Sequence, residues 1–126
     1  MARRRSRTLT ELELEIMTVA WQKEETTVGD LRRAFERDGK TLALPTIRTM
    51  LGILVRKGYL ARAKQGRRHA YRPLVSEPQA RRSFLEDVLV RVFRGSPRDL
   101  MAALLDSRRI SKRELEHAKR LIRDYE

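Results

Sequence analysis

A mostly α-helical chain with one small β-hairpin is the fold class this sequence predicts, on three observations. Apolar residues recur at helical spacing in six stretches. Five of those stretches open with a hydroxyl residue three places before an acid or amide: Thr10 with Glu13, Thr27 with Asp30, Ser76 with Gln79, Ser96 with Asp99, and Ser111 with Glu114. Between the third and fourth stretches, residues 59–72 carry short runs on either side of Gly66, as two strands and a turn would.

Taken in order, Ala2 to Arg7 hold four arginines and no long apolar side chain, so residues 1–8 read as a basic flexible arm. Thr10 and Glu13 cap the first helix, with Leu9 and Leu14 at staple positions. Leu12, Ile16, Val19 and Ala20 mark its buried face, with Met17 and Trp21 beside it as core. The second helix runs from Val28 to about Arg37, turns Leu31, Ala34 and Phe35 inwards, and ends at Gly39. Lys40 to Leu44 make a short connection in which Leu44, preceding proline, is expected to be extended. The third helix opens at Pro45, buries Ile47, Leu51, Leu54 and Val55, and stops at Gly58. Tyr59 to Gln65 and Arg67 to Arg72 form the hairpin, with Tyr71 packed inwards. Two helices joined by a short turn, then a hairpin, make a winged helix-turn-helix over residues 9–75.

From Ser76 the apolar content changes character. Phe84, Leu85, Val88, Leu89, Val92 and Phe93 give one helix a wider apolar face than it can cover alone. Ser96-Pro97 and Asp99 start a segment bearing Leu100, Met101, Leu104 and Leu105, and Ser111 starts a last helix with Ala118, Leu121, Ile122 and Tyr125. Residues 76–126 therefore read as a helical dimerisation region, carried by Phe84, Leu85, Val88, Leu89, Val92, Leu100, Leu104, Leu121 and Ile122.

The charge is uneven. Of a net +12, residues 1–75 carry 17 cations and 8 anions, and residues 76–126 carry 12 and 9. Between Gly39 and Ser76 nine cations stand without one acid. A solvated surface mixes both signs, so this window points to a nucleic acid. In a winged helix the third helix enters the major groove with its N-terminal residues at base edges. Thr46, Arg48 and Thr49 occupy that place, with Arg48 able to offer two donors to guanine and a threonine methyl able to touch thymine. Gly52 costs about 1 kcal/mol in a helix interior, which suggests close approach of a phosphate or a neighbouring helix. Lys40, and Arg67 and Arg68 at the hairpin tip, suit phosphate contacts, which set affinity without reading sequence.

Other chemistries find no footing. The chain has no cysteine, and its two histidines, His69 and His117, have no ligand spacing around them, so no metal or cofactor is expected. No triad or phosphate loop points to an enzyme. No apolar run approaches the roughly 18 residues of a membrane span, and MARRRSRT leads into an amphipathic helix, so membrane insertion and a secretory signal are not expected and the protein is placed in the cytoplasm.

With those residues in view, the chain resembles the penicillinase-repressor (BlaI/MecI) family of bacterial transcriptional regulators. The resemblance runs from Leu9 to about Ile122. It is carried by LTELELEIMTVAW, PTIRTMLGILVRKGYL, GRRHAYRPLVS and FLEDVLVRVFRGSPRDLMAALL, with TIRT, a leucine-rich turn and KG the most specific part. It implies a homodimeric repressor on double-stranded DNA with a palindromic operator, with Thr46, Arg48 and Thr49 in the recognition helix. Family members often have basic residues at the places of Pro45 and near Ile53, so some contacts differ here. In antibiotic-responsive members a membrane sensor protease system leads to a cut, typically at Asn-Phe; the matching place, Ala103-Leu104, lacks that pair. Copper-responsive relatives carry paired cysteines, absent here. Two other readings are a nucleic-acid-coating protein of the nucleoid type, binding DNA or RNA without base readout, and a ligand-sensing winged-helix regulator. The first would show little preference among duplexes and a steep salt dependence; no polar cluster in the C-terminal half supports the second.

Overall fold

The computed structural model describes residues 9–126, and the arm expected at residues 1–8 lies outside them. Among the described residues the order is α1 (Glu11–Lys23), α2 (Val28–Arg37), α3 (Leu44–Lys57), β1 (Leu60–Gln65), β2 (Arg68–Pro73), α4 (Glu77–Arg91), α5 (Pro97–Asp106) and α6 (Lys112–Tyr125). The fold class is the expected one.

The caps form as the sequence requires. Thr10 Oγ1 accepts from the Glu13 N–H at 3.2 Å while Glu13 accepts from the Thr10 N–H at 2.7 Å. Thr27 with Asp30, Ser76 with Gln79 and Ser111 with Glu114 make the same reciprocal pairs. Each satisfies two N-terminal groups that the helix itself leaves without partners.

Ile16, Met17 and Ala20 of α1, Leu31 and Phe35 of α2, and Ile47, Leu51 and Leu54 of α3 converge on one core, closed by Tyr59, Leu60, Tyr71, Val75 and Ala80. Trp21 packs against it and donates its indole N–H to the Val75 carbonyl at 2.8 Å, which suits an aromatic with a polar edge. α3 begins earlier than expected. Leu44 is its first residue and Ala43 the extended one before it. Proline only disfavours a helical predecessor, and the burial of Ile47 and Leu51 outweighs that preference. Gly58, at φ 86°, ends α3 in the left-handed conformation and donates to Leu54 and Val55.

β1 and β2 pair antiparallel from Leu60 opposite Pro73 to Gln65 opposite Arg68. Gly66 takes φ 61° at the first central position of the two-residue turn, a conformation a side chain would disfavour. Both strands start one residue later than the sequence suggested. Thr26 and Tyr71 exchange backbone hydrogen bonds of 2.9 and 2.8 Å, tying the hairpin to the segment before α2.

The chain divides into two compact units between Phe84 and Leu85, inside α4, whereas its composition placed the boundary ahead of that helix. Ala80 is buried and Phe84 packs on the core, so the first half of α4 belongs to the winged unit. In the second unit, α5 and α6 bury no residue.

Candidate nucleic-acid interface

α3 is held from beneath by Ile47, Leu51 and Leu54, which leaves Thr46, Arg48 and Thr49 exposed near its N-terminus and Gly52 half-buried. Its C-terminal turn is fixed by Lys57, whose Nζ donates to Glu13 Oε1 at 2.8 Å. Glu13 is 1% exposed. Burial pushes its carboxyl up, but Lys57 and the Thr10 cap outweigh burial and hold it below the ordinary value. Lys57 thus belongs to the scaffold, although its sequence position placed it in the acid-free window.

The hairpin carries its cations as its register dictates. Arg62 lies opposite Tyr71 and Lys64 opposite His69, so these four share one face. Arg67 and Arg68 stand exposed at the tip, as expected. His69 is exposed with no nucleophile or metal cluster beside it; among the described residues no group of histidine and carboxylate side chains could hold a metal ion.

Between α2, the first turns of α3 and the hairpin runs an open groove of about 740 Å³. Its walls are Thr27, the cap of α2, with Val28, Gly29, Arg32, Arg33 and Glu36 from α2, Leu44 and Arg48 from α3, and Arg62, Arg67, Arg68, His69 and Tyr71 from the hairpin. Six arginines face one carboxylate there. Low-dielectric walls lined by one sign of charge concentrate the potential and draw in the opposite charge.

Arg32 and Arg33 were not legible as site residues. Each has an acid at helical spacing, Glu36 at 3.1 Å from Arg32 and Asp30 at 2.7 Å from Arg33, and so reads as an ordinary solvated pair. The available signal was their shared exclusion from the Leu31, Ala34 and Phe35 face. Lys40 stands outside the groove, its ammonium hydrogen-bonded to Glu15, which raises its pKa above the ordinary value. A DNA contact by Lys40 would first have to break that pair.

Of the residues expected to mediate self-association, Leu85, Val88, Val92, Leu104, Leu121 and Ile122 are exposed, Leu89 and Leu100 are half-buried, and Phe84 is engaged on the winged unit's core. Val90, Met101, Leu105 and Tyr125 add to the exposed apolar surface. Ala103 and Leu104 are exposed but lie inside α5, so cleavage between them would require that turn to unwind. Among the described residues no helix is long and apolar enough to cross a membrane.

The model of the family described as "Penicillinase repressor" matches residues 9–124. The penicillinase repressor of Bacillus licheniformis is 24% identical over 117 residues, covering 93% of this chain and 91% of that protein. The methicillin resistance regulatory protein MecI of Staphylococcus aureus (strain N315) is 23% identical over 110 residues, covering 87% and 89%. Among solved structures, the DNA binding domain of the repressor BlaI superposes with a TM-score of 0.53 at 28% identity, covering 61% of this chain and 93% of that domain.

Proposed function

The chain belongs to the penicillinase repressor family, a family of regulators and not of enzymes, and from that premise we propose that it is a transcriptional repressor that binds double-stranded DNA sequence-specifically, as a homodimer on a palindromic operator. The observation that carries the reading is the arginine-lined groove beside the exposed first turns of α3. Thr46, Arg48, Thr49 and Gly52 present α3 to the major groove, while Arg67 and Arg68 grip the backbone; the DNA places the protein in the cytoplasm. The second copy is supported by α5 and α6, which leave Leu104, Leu105, Leu121 and Ile122 more than half exposed. Large apolar side chains left exposed together in one small unit point to a protein contact, and a dimer supplies the second half-site that one winged helix cannot reach.

The test is affinity selection of sheared genomic DNA from the source organism against excess random competitor, followed by sequencing. An inverted repeat upstream of a few genes is the expected result. Broad recovery without a motif would make the chain a charge-driven coating protein instead.

A further inference from the structure

The exposed side of α3 is two rows, not one. Thr46, Thr49, Ile53 and Arg56 recur at i, i+3, i+7 and i+10, and Leu44, Arg48 and Gly52 at i, i+4 and i+8. At about 100° per residue, Arg48 stands ~160° around the helix from Thr46 and ~100° from Thr49. Leu44 and Arg48 line the groove shared with α2 and the hairpin; neither threonine does. Arg48 therefore shares its surroundings with Arg32, Arg33, Arg62, Arg67 and Arg68.

Six guanidiniums around one concavity repel one another. Glu36 and Asp30, each already bonded to one arginine, leave most of that charge uncompensated. The ligand chemistry that relieves it is a chain of regularly spaced anions, and Arg presents its donors in a fork matched to phosphate oxygens. A DNA strand lying in the groove would offer its sugar-phosphate edge to these walls. The base edges would then meet the other row of α3, where Thr46 and Thr49 of the first two turns are uncharged and each carry a methyl beside the hydroxyl.

We propose that Arg48 is a phosphate contact in a six-arginine seat for one DNA strand, and that base reading on α3 falls to Thr46, Thr49 and Ile53, the uncharged members of the other row, which recognise thymine methyl groups. This rests on the proposed function and deepens it. It replaces the guanine-reading role that the position of Arg48 in the sequence suggested. The charge of the interface then sets affinity, and methyl contacts in the major groove set preference.

The experiment compares wild type, Arg48→Ala and Arg32→Ala on the duplex recovered by the selection and on a random-sequence duplex, across a range of salt. Wild type is also titrated on the recovered duplex with its half-site thymines replaced by deoxyuridine. Either arginine variant should weaken both duplexes by a similar factor and lower the salt slope by about one unit. Deoxyuridine should reduce wild-type affinity for the recovered duplex several-fold, and Thr49→Ser should lose that sensitivity at one position. Arg48→Ala with an unchanged salt slope and a collapsed preference for the recovered duplex would overturn the proposal, as would full affinity for the deoxyuridine duplex. Wild type that binds every duplex alike would remove the parent reading, and this one with it.

Discussion

Gly52→Ala separates the stability of α3 from its function. Gly52 sits mid-helix one turn beyond Arg48, with no positive φ to require glycine, and a Cβ built on it meets nothing within 4 Å. Packing within the chain therefore does not explain the residue. Alanine should stabilise the helix by about 1 kcal/mol, which raises Tm by roughly 4–8 °C for a domain of this size. If glycine is there so that DNA can approach the helix backbone, the same methyl should crowd the complex at a cost of about 1–3 kcal/mol, or ~5–150-fold in Kd. Circular dichroism melting and fluorescence anisotropy on the selected duplex read the two effects separately. A higher Tm with unchanged Kd would refute the close-approach argument. A lower Tm would refute the claim that the position is open.

Three further outcomes follow from the same geometry. Glu13→Gln should lower Tm at neutral pH, at a cost of roughly 1–3 kcal/mol, because the charge facing Lys57 is lost from a buried site. The folded carboxyl titrates below its ordinary value, so its stabilisation is present above the unfolded pKa and is lost as pH falls through the folded pKa; melts from pH 7 to pH 3 should show a shallower acid loss in the variant, and parallel curves would count against the pair. Arg67→Ala with Arg68→Ala should weaken selected and random duplexes together and reduce the salt slope by up to about two units, with an unchanged slope arguing against phosphate contact at the tip. Leu121→Asp with Ile122→Asp should yield monomers in sedimentation velocity and leave the melting of the winged unit in place, whereas persistent dimers would move the interface elsewhere.

The fold was legible wherever a local signal and the core agreed. Thr10, Thr27, Ser76 and Ser111 each announce a helix start, because the cap is made by residues three apart and depends on nothing distant. The start of α3 was misread by one residue because the preference set by Pro45 is weak and the deciding contacts, of Ile47 and Leu51, are tertiary. The site was legible less evenly. Exposure of Thr46, Arg48 and Thr49 follows from helical periodicity, but which of them face the hairpin depends on where the hairpin folds back. Lys57 and Lys40 illustrate the converse: both stand in an acid-free window, yet Glu13 and Glu15, over 20 residues away in sequence, come back to pair with them. A count of charges along a chain cannot see partners that the fold supplies.

That pairing has a consequence for how the repressor would be controlled. The Glu13–Lys57 bond joins the first turn of α1 to the last turn of α3, so the recognition helix is tied to the scaffold at one end and by its buried stripe along its length. Among the described residues, α5 and α6 bury no residue of their own. On the proposed dimer, their order and the second half-site depend on the same event. Linking two DNA-binding units raises avidity through effective concentration, by factors of ~10²–10⁴ without any new DNA contact. A signal that loosens the second unit would therefore release the operator while leaving each recognition helix intact. A Leu121→Asp, Ile122→Asp variant should accordingly keep the salt slope per winged unit and lose the avidity, and a variant that kept full operator affinity as a monomer would refute that route of control.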